Sequence, residues 1–242
     1  MTGNPALRLA LPGQWHALPL GSDDEVATQV AAFVRAHFGR RDDQAALRAG
    51  QRARLGEAAR RARDAGAVQF HLSLRGPAAV ALATSAAEFH PRLPLGAHAA
   101  PAAVADALVR VLAGGGAGGG QSSRDGQMTD VGDHWETFAA AGGAVFERGD
   151  GLVLRMTRRT EPADPERDAA TAAADYWLTV PGRADAVLLT FTTALAALEP
   201  LMTELFDAIV AASEWTPRAA AERGPGVADS RLRDELRAGR GA

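Results

Sequence analysis

Tyr176-Trp177-Leu178-Thr179-Val180 and Ala186-Val187-Leu188-Leu189-Thr190-Phe191-Thr192, joined by Pro181-Gly182-Arg183-Ala184-Asp185, form the stretch whose reading decides the fold. Two runs rich in β-branched and aromatic residues, separated by five residues with a Pro-Gly pair, read as a β-hairpin. Neighbouring residues are both apolar at Tyr176 and Trp177, and again at Leu188 and Leu189, so neither face of the hairpin is built for water. That predicts a hairpin at the centre of a sheet, covered on both faces.

Working outward, Val145-Phe146 and then Leu152, Leu154 and Met156 add strands before the hairpin, with the acidic, proline-containing Glu161 to Asp168 between. After the hairpin, Leu201, Leu205, Phe206 and Ile209 give the buried stripe of a helix from about Leu198 to Ser213, with Pro200 near its start. Further upstream, Val68, Phe70, Leu72 and Leu74 alternate with Gln69, His71, Ser73 and Arg75, the period of a half-buried strand. Past the Gly76-Pro77 turn, Val80 and Leu82 suggest its antiparallel partner. Ser22 and Glu25 have the spacing of a capping box, and behind them Val26, Val30, Phe33, Val34 and Phe38 recur at helical spacing up to Gly39. From about Asp42 to Ala65 the chain is rich in alanine and arginine. Leu47 and Leu55 are its only large apolar anchors, which predicts a surface helix with an alanine-lined inner face, ended by Gly66. Pro101 opens another helix, with Val104, Leu108 and Val111 or Leu112 inward. At the start, Leu7, Leu9 and Leu11 read as a strand, and Pro12-Gly13-Gln14-Trp15 as a turn with Trp15 at the edge of the core.

The element order is strand, helices, hairpin, helix, loop, meander, helix. Hairpins outnumber βαβ crossovers, so the expected class is α+β, a mainly antiparallel sheet covered by helices on both faces. The expected organisation is a single α+β domain over residues 1–216, with a flexible glycine-rich loop at 114–126 and a disordered tail at 217–242. The 242 residues, 47% hydrophobic and 23% charged, suffice for a core and exclude wholesale disorder. All 26 basic residues are arginine, alanine supplies about a fifth of the chain, and the net charge is -3. That balance argues against a protein built to hold nucleic acid. No apolar run is long enough to span a membrane, and the first residues do not read as a signal peptide, so a cytoplasmic protein is expected. With no cysteine, disulfides, thiolate metal sites and cysteine nucleophiles are excluded.

Asp130-Val131-Gly132-Asp133-His134-Trp135-Glu136 is the richest polar cluster. Asp130, Asp133, His134 and Glu136 supply ligands for a divalent metal, or an acid–base set for a metal-assisted enzyme. The alternative is a polar loop with Asp133 or Asp130 capping a short helical turn; the paired-histidine spacing of a zinc site is missing. Gly114-x-Gly116-x-x-Gly119 matches the dinucleotide fingerprint only formally, because it follows a helix instead of a strand. No P-loop and no Gly-x-Ser-x-Gly elbow is present, so no catalytic residue and no cofactor is assigned. His90 and His98 bracket Pro91-Arg92-Leu93-Pro94 and read as loop residues. Eight arginines against four acids between Arg40 and Asp64 make a basic stripe in which Arg48, Arg52, Arg60 and Arg63 are candidates for an acidic protein or another anionic ligand. Without interleaved aromatics the stripe is poorly suited to nucleic acid, and the plainer reading is a solvated helix face.

Val187-Leu188-Leu189-Thr190-Phe191-Thr192-Thr193, followed by Leu201-Met202-Thr203-Glu204-Leu205-Phe206-Asp207-Ala208-Ile209-Val210 and Trp215, resembles the ending of PsbP-like domains. Leu11-Pro12-Gly13-Gln14-Trp15 is similar to their early turn, and the layout resembles actinobacterial proteins of the same general shape. The resemblance covers packing positions over about a third of the chain and implies an antiparallel sheet between helices. It also implies a non-catalytic role in binding other proteins, as adaptor or chaperone, and carries over no catalytic residue. Another protein is therefore the expected partner, and oligomeric state is left open.

Overall fold

The structure is a computed structural model that describes residues 5–18, 20–38, 45–75, 81–114, 131–149, 151–162 and 170–216. Among these residues the class is α+β, with a seven-stranded sheet that is antiparallel throughout. The chain runs β1 (Ala6–Arg8), β2 (Gln14–Leu18), α1 (Asp23–Phe38), α2 (Ala45–Asp64), β3 (Ala67–Arg75), β4 (Ala81–Phe89) and α3 (Pro101–Gly114). It continues through α4 (Val131–Ala140), β5 (Ala144–Arg148), β6 (Gly151–Thr160), β7 (Thr171–Thr179), β8 (Ala186–Thr193), α5 (Glu199–Ala212) and β9 (Glu214–Thr216). The sheet order is β2-β3-β4-β8-β7-β6-β5, so the β7–β8 hairpin is central, as its apolar runs require. Two compact units divide the chain: residues 12–207, which hold the whole sheet, and residues 1–11 with 208–242. In the second unit β1 pairs antiparallel with β9, and Arg8 bridges Glu214 at 2.6 Å.

Local chemistry explains the elements. Ser22 and Glu25 form the capping box: the Ser22 N–H donates to Glu25 Oε2 at 2.9 Å, and the Glu25 N–H donates to Ser22 Oγ at 3.3 Å. α2 buries Gly56, Ala59 and Ala62, so its alanine face is the inner one, while Leu47 is exposed and anchors nothing. Gly66 closes that helix at φ +83°, and its N–H donates to the Arg63 carbonyl at 2.8 Å. β3 buries Phe70 and Leu72, but Val68 stands exposed where a register shift interrupts the ladder. The Gly76-Pro77 turn, Val80, the loop at 115–126 and the tail at 217–242 lie outside the described residues, as do the side chains of Leu74 and Leu82.

Three details depart from the sequence expectations. Gln14 and Trp15, which the sequence places in the Pro12-Gly13-Gln14-Trp15 turn, open the edge strand β2. Val131–Ala140 is a ten-residue helix, longer than the short turn expected there. The buried stripe of α5 is Met202, Phe206, Ile209 and Val210, whereas Leu201 is 60% exposed. Both stripes are apolar at helical spacing, so periodicity alone cannot choose between them.

The two faces of the sheet are covered differently. Leu18, Phe70, Ala87, Thr190, Asp175 and Met156 stand abreast on one face, across β2, β3, β4, β8, β7 and β6. At one end of this row Leu18, Phe70 and Ala87 join Val26, Val30, Phe33 and Val34 of α1 and Ala59 and Ala62 of α2. At the other end Met156 packs with the core that Leu154 makes with Val104 and Leu108 of α3 and Phe138 of α4. The opposite face carries Tyr176 and Phe191, both fully buried; Phe206 of α5 stacks on Phe191 with ring centroids 4.5 Å apart. Helices thus lie on both faces, but the helix pairs stand to either side of the sheet's midline. The central hairpin is fully covered on one face and half open on the other.

Candidate functional site

The open strip between the helix pairs forms a cleft of about 530 Å³ in the 12–207 unit. Its floor is Leu188 and Thr190 of β8, Asp175 of β7 and Arg158 of β6; its rim is Ala65 and Gly66 at the end of α2, with Phe89, His90 and Pro91 leaving β4. Thr190 and Asp175 lie in the middle of apolar runs, yet both are only half-buried. Antiparallel register explains this: their row reaches the α1/α2 core at Ala87 and the α3/α4 side at Met156, and neither pair extends over the two residues between.

The polar groups of the floor are mutually satisfied. Thr190 Oγ1 donates to Asp175 Oδ1 at 2.7 Å, and the Arg158 guanidinium donates to Asp175 Oδ2. Partial burial lowers the Arg158 pKa. At the β4 end, His90 Nε2 lies 2.6 Å from Oε1 of Glu88. Glu88 is 1% exposed, and its Oε2 is buried with no hydrogen-bond partner. The site is therefore an apolar trough with one closed ion pair, while Glu88, in register with Leu189 and Tyr176, belongs to the opposite face of the sheet.

A second open cleft, of about 540 Å³, lies beside the β2 edge between Gln29, Leu18 and Leu20 on one side and Val68, Gln69 and His71 on the other. Gln69 Oε1 accepts from His71 Nε2 at 3.1 Å, and burial lowers the His71 pKa. It carries no carboxylate or guanidinium.

The sequence candidates fall elsewhere. Asp130 lies outside the described residues and so does the Asp133 side chain; His134 is half-buried and Glu136 exposed on α4. Between them Trp135 packs on the α3/α4 core, and its indole N–H donates to Asp106 at 2.5 Å. Among the described residues no group of three or more His, Cys, Asp or Glu side chains is placed to hold a metal. On α2, Arg52 is exposed and Arg48 half-buried. Arg60 pairs with Glu57 at 3.0 Å, and Arg63 bonds Asp23 at 2.7 Å and the Gly21 carbonyl at 3.1 Å, tying α2 to the start of α1. Arg60 and Arg63 are thus engaged within the fold.

Sequence reasoning missed the cleft because its groups come from four different strands and the loop after β4, with no local spacing to reveal them. One signal was present: Asp175 and Thr190 interrupt otherwise apolar central strands, where a polar residue needs a partner or an opening. No helix among the described residues is long and apolar enough to cross a membrane. No family model, curated protein or solved structure gives a significant match to the chain.

Proposed function

We propose that the chain is a non-catalytic protein-binding domain of adaptor or chaperone type, working in the cytoplasm, and that the cleft between its helix pairs receives a segment of the partner. One observation carries this reading: the centre of a seven-stranded sheet, normally the best-covered part of such a fold, is left half-exposed at Leu188, Thr190 and Asp175. Apolar walls at Phe89, Leu188 and Pro91 supply contact area, and the satisfied Asp175–Arg158 pair adds polarity without an unpaired charge. The PsbP-like resemblance of the chain's ends points the same way, since those domains bind proteins.

The test is capture of partners from the host by the full chain at low and high salt, read by mass spectrometry, beside a Thr190→Trp variant that fills the floor. A partner that survives high salt and is lost in Thr190→Trp is the expected result. A partner retained by Thr190→Trp refutes the cleft. Capture that vanishes with salt and with Arg52→Ala would move the binding surface to the arginine face of α2.

A further inference from the structure

We infer that the cleft selects an uncharged, apolar stretch of its partner, with a leucine or phenylalanine side chain at its centre, and that the Asp175–Arg158 pair sets this selectivity by cancelling its own charges. This rests on the cleft reading above and adds the chemistry of the occupant. Leu188 on the floor and Phe89 and Pro91 on the rim are apolar, and each is only half-buried. An apolar side chain entering between them gains contact with surface that the fold leaves open to water.

Charge works against the alternatives. Asp175 and Arg158 have opposite signs and are joined to each other, so together they offer an occupant no net charge. Both oxygens of Asp175 are engaged, Oδ1 by the Thr190 hydroxyl and Oδ2 by the Arg158 guanidinium. A lysine would have to share that carboxylate with Arg158, and an aspartate would enter beside a like charge. Either ion gives up water in an apolar trough and finds no uncommitted counter-charge, a cost that leucine does not meet. His90, the remaining ionisable group of the lining, has its Nε2 2.6 Å from Oε1 of Glu88, so a charge on its ring is also answered within the fold. The pair works only as a pair: removing either member exposes the charge of the other, and the selectivity then follows the sign that is left.

The probe is an oriented peptide library with leucine, phenylalanine, lysine or aspartate fixed at the central position and uncharged degenerate flanks, applied to the full chain at low and high salt. Leucine and phenylalanine pools are expected to be retained about tenfold above the charged pools, the scale of burying one large apolar side chain, with no loss at high salt. Asp175→Asn should turn the preference toward the aspartate pool and Arg158→Met toward the lysine pool. The double variant should return it to the apolar pools. Retention that Thr190→Trp abolishes, but that favours a charged pool or ranks all pools alike, overturns this inference and leaves the cleft reading standing. An unaltered ranking in both single variants overturns the role of the pair. No retention of any pool, or retention unaffected by Thr190→Trp, overturns the cleft reading and this one with it. The ranking and its salt response are read on the unsubstituted chain and need no stable variant.

Discussion

Ser22 and Glu25 satisfy two backbone donors at the head of α1 that no helix can satisfy internally. Ser22→Ala should therefore cost about 1 kcal/mol of stability, read as a lower denaturant midpoint with unchanged slope. An unchanged midpoint would show that water replaces the cap without loss. His16 gives a residue-scale prediction in pH. Its ring meets Phe33 and His37 at centroid distances of 4.7 and 4.6 Å, and its Nε2 is buried without a partner. Burial first, and the charge of His37 second, lower its pKa from 6.5. The unfolded chain therefore binds a proton that the folded chain resists, so stability is complete above about pH 6.5 and falls as the pH drops below it. His71, lowered by burial alone, adds to the same slope. Urea midpoints should fall between pH 7 and 5, and His16→Gln should flatten the fall without removing it. A midpoint as acid-sensitive in His16→Gln as in the native chain would remove His16 from the cause.

Among the elements, α2 reverses the usual equation of size with importance. One of its two leucines, Leu47, is 48% exposed, whereas Ala59 is fully buried against α1 and the sheet. Leu47→Ala should change stability by no more than about 0.5 kcal/mol, while Ala59→Leu should cost about 1–3 kcal/mol through overpacking. Equal effects in thermal melts would contradict this placement of the helix. The alanine-lined face was legible because small residues recur at Gly56, Ala59 and Ala62 with arginine between; Leu47 misled because hydropathy does not report whether a neighbour arrives. The same distinction governs the other elements. Long strands with unbroken apolar runs, β7 and β8, declared both their type and their central place. β2 did not, since of its five residues only Leu18 is buried. α4 did not, because among its described side chains only Trp135 and Phe138 are large inward groups. The cleft was least legible. A strand states which residues face the same way, but where two helix pairs stop short of each other depends on how wide a seven-stranded sheet is against four helices.

At the scale of the 12–207 unit, one backbone ladder joins two separate cores on the face that carries α1–α4, and the opposite face ties them. The seam is β4 against β8, where Thr84 and Thr193 pair in register and share a hydroxyl–hydroxyl contact at 3.2 Å. Phe191 lies beside it with its ring fully buried. Trp15 of β2 meets that ring edge-on at 6.5 Å, Tyr176 of β7 at 5.8 Å, and Phe206 stacks on it. Tyr176 in turn donates to Asp207 at 2.7 Å, with Arg155 on the other carboxylate oxygen, and burial and Asp207 together raise its pKa, keeping the phenol a donor. A ring in contact with side chains from both halves of the sheet couples them, whereas a ring in one core does not. Phe191→Ala should therefore cost about 3–5 kcal/mol and lower amide protection in β2–β4 and β5–β8 together, within a single unfolding transition. Leu108→Ala, fully buried in the α3/α4 core, should cost about 2–5 kcal/mol yet release α3 and α4 before α1 and α2 lose protection. Hydrogen exchange distinguishes the two patterns directly. If Phe191→Ala freed only one half of the sheet, the β4–β8 seam would be a boundary between independent folding units, and the cleft that straddles it would change width as they move.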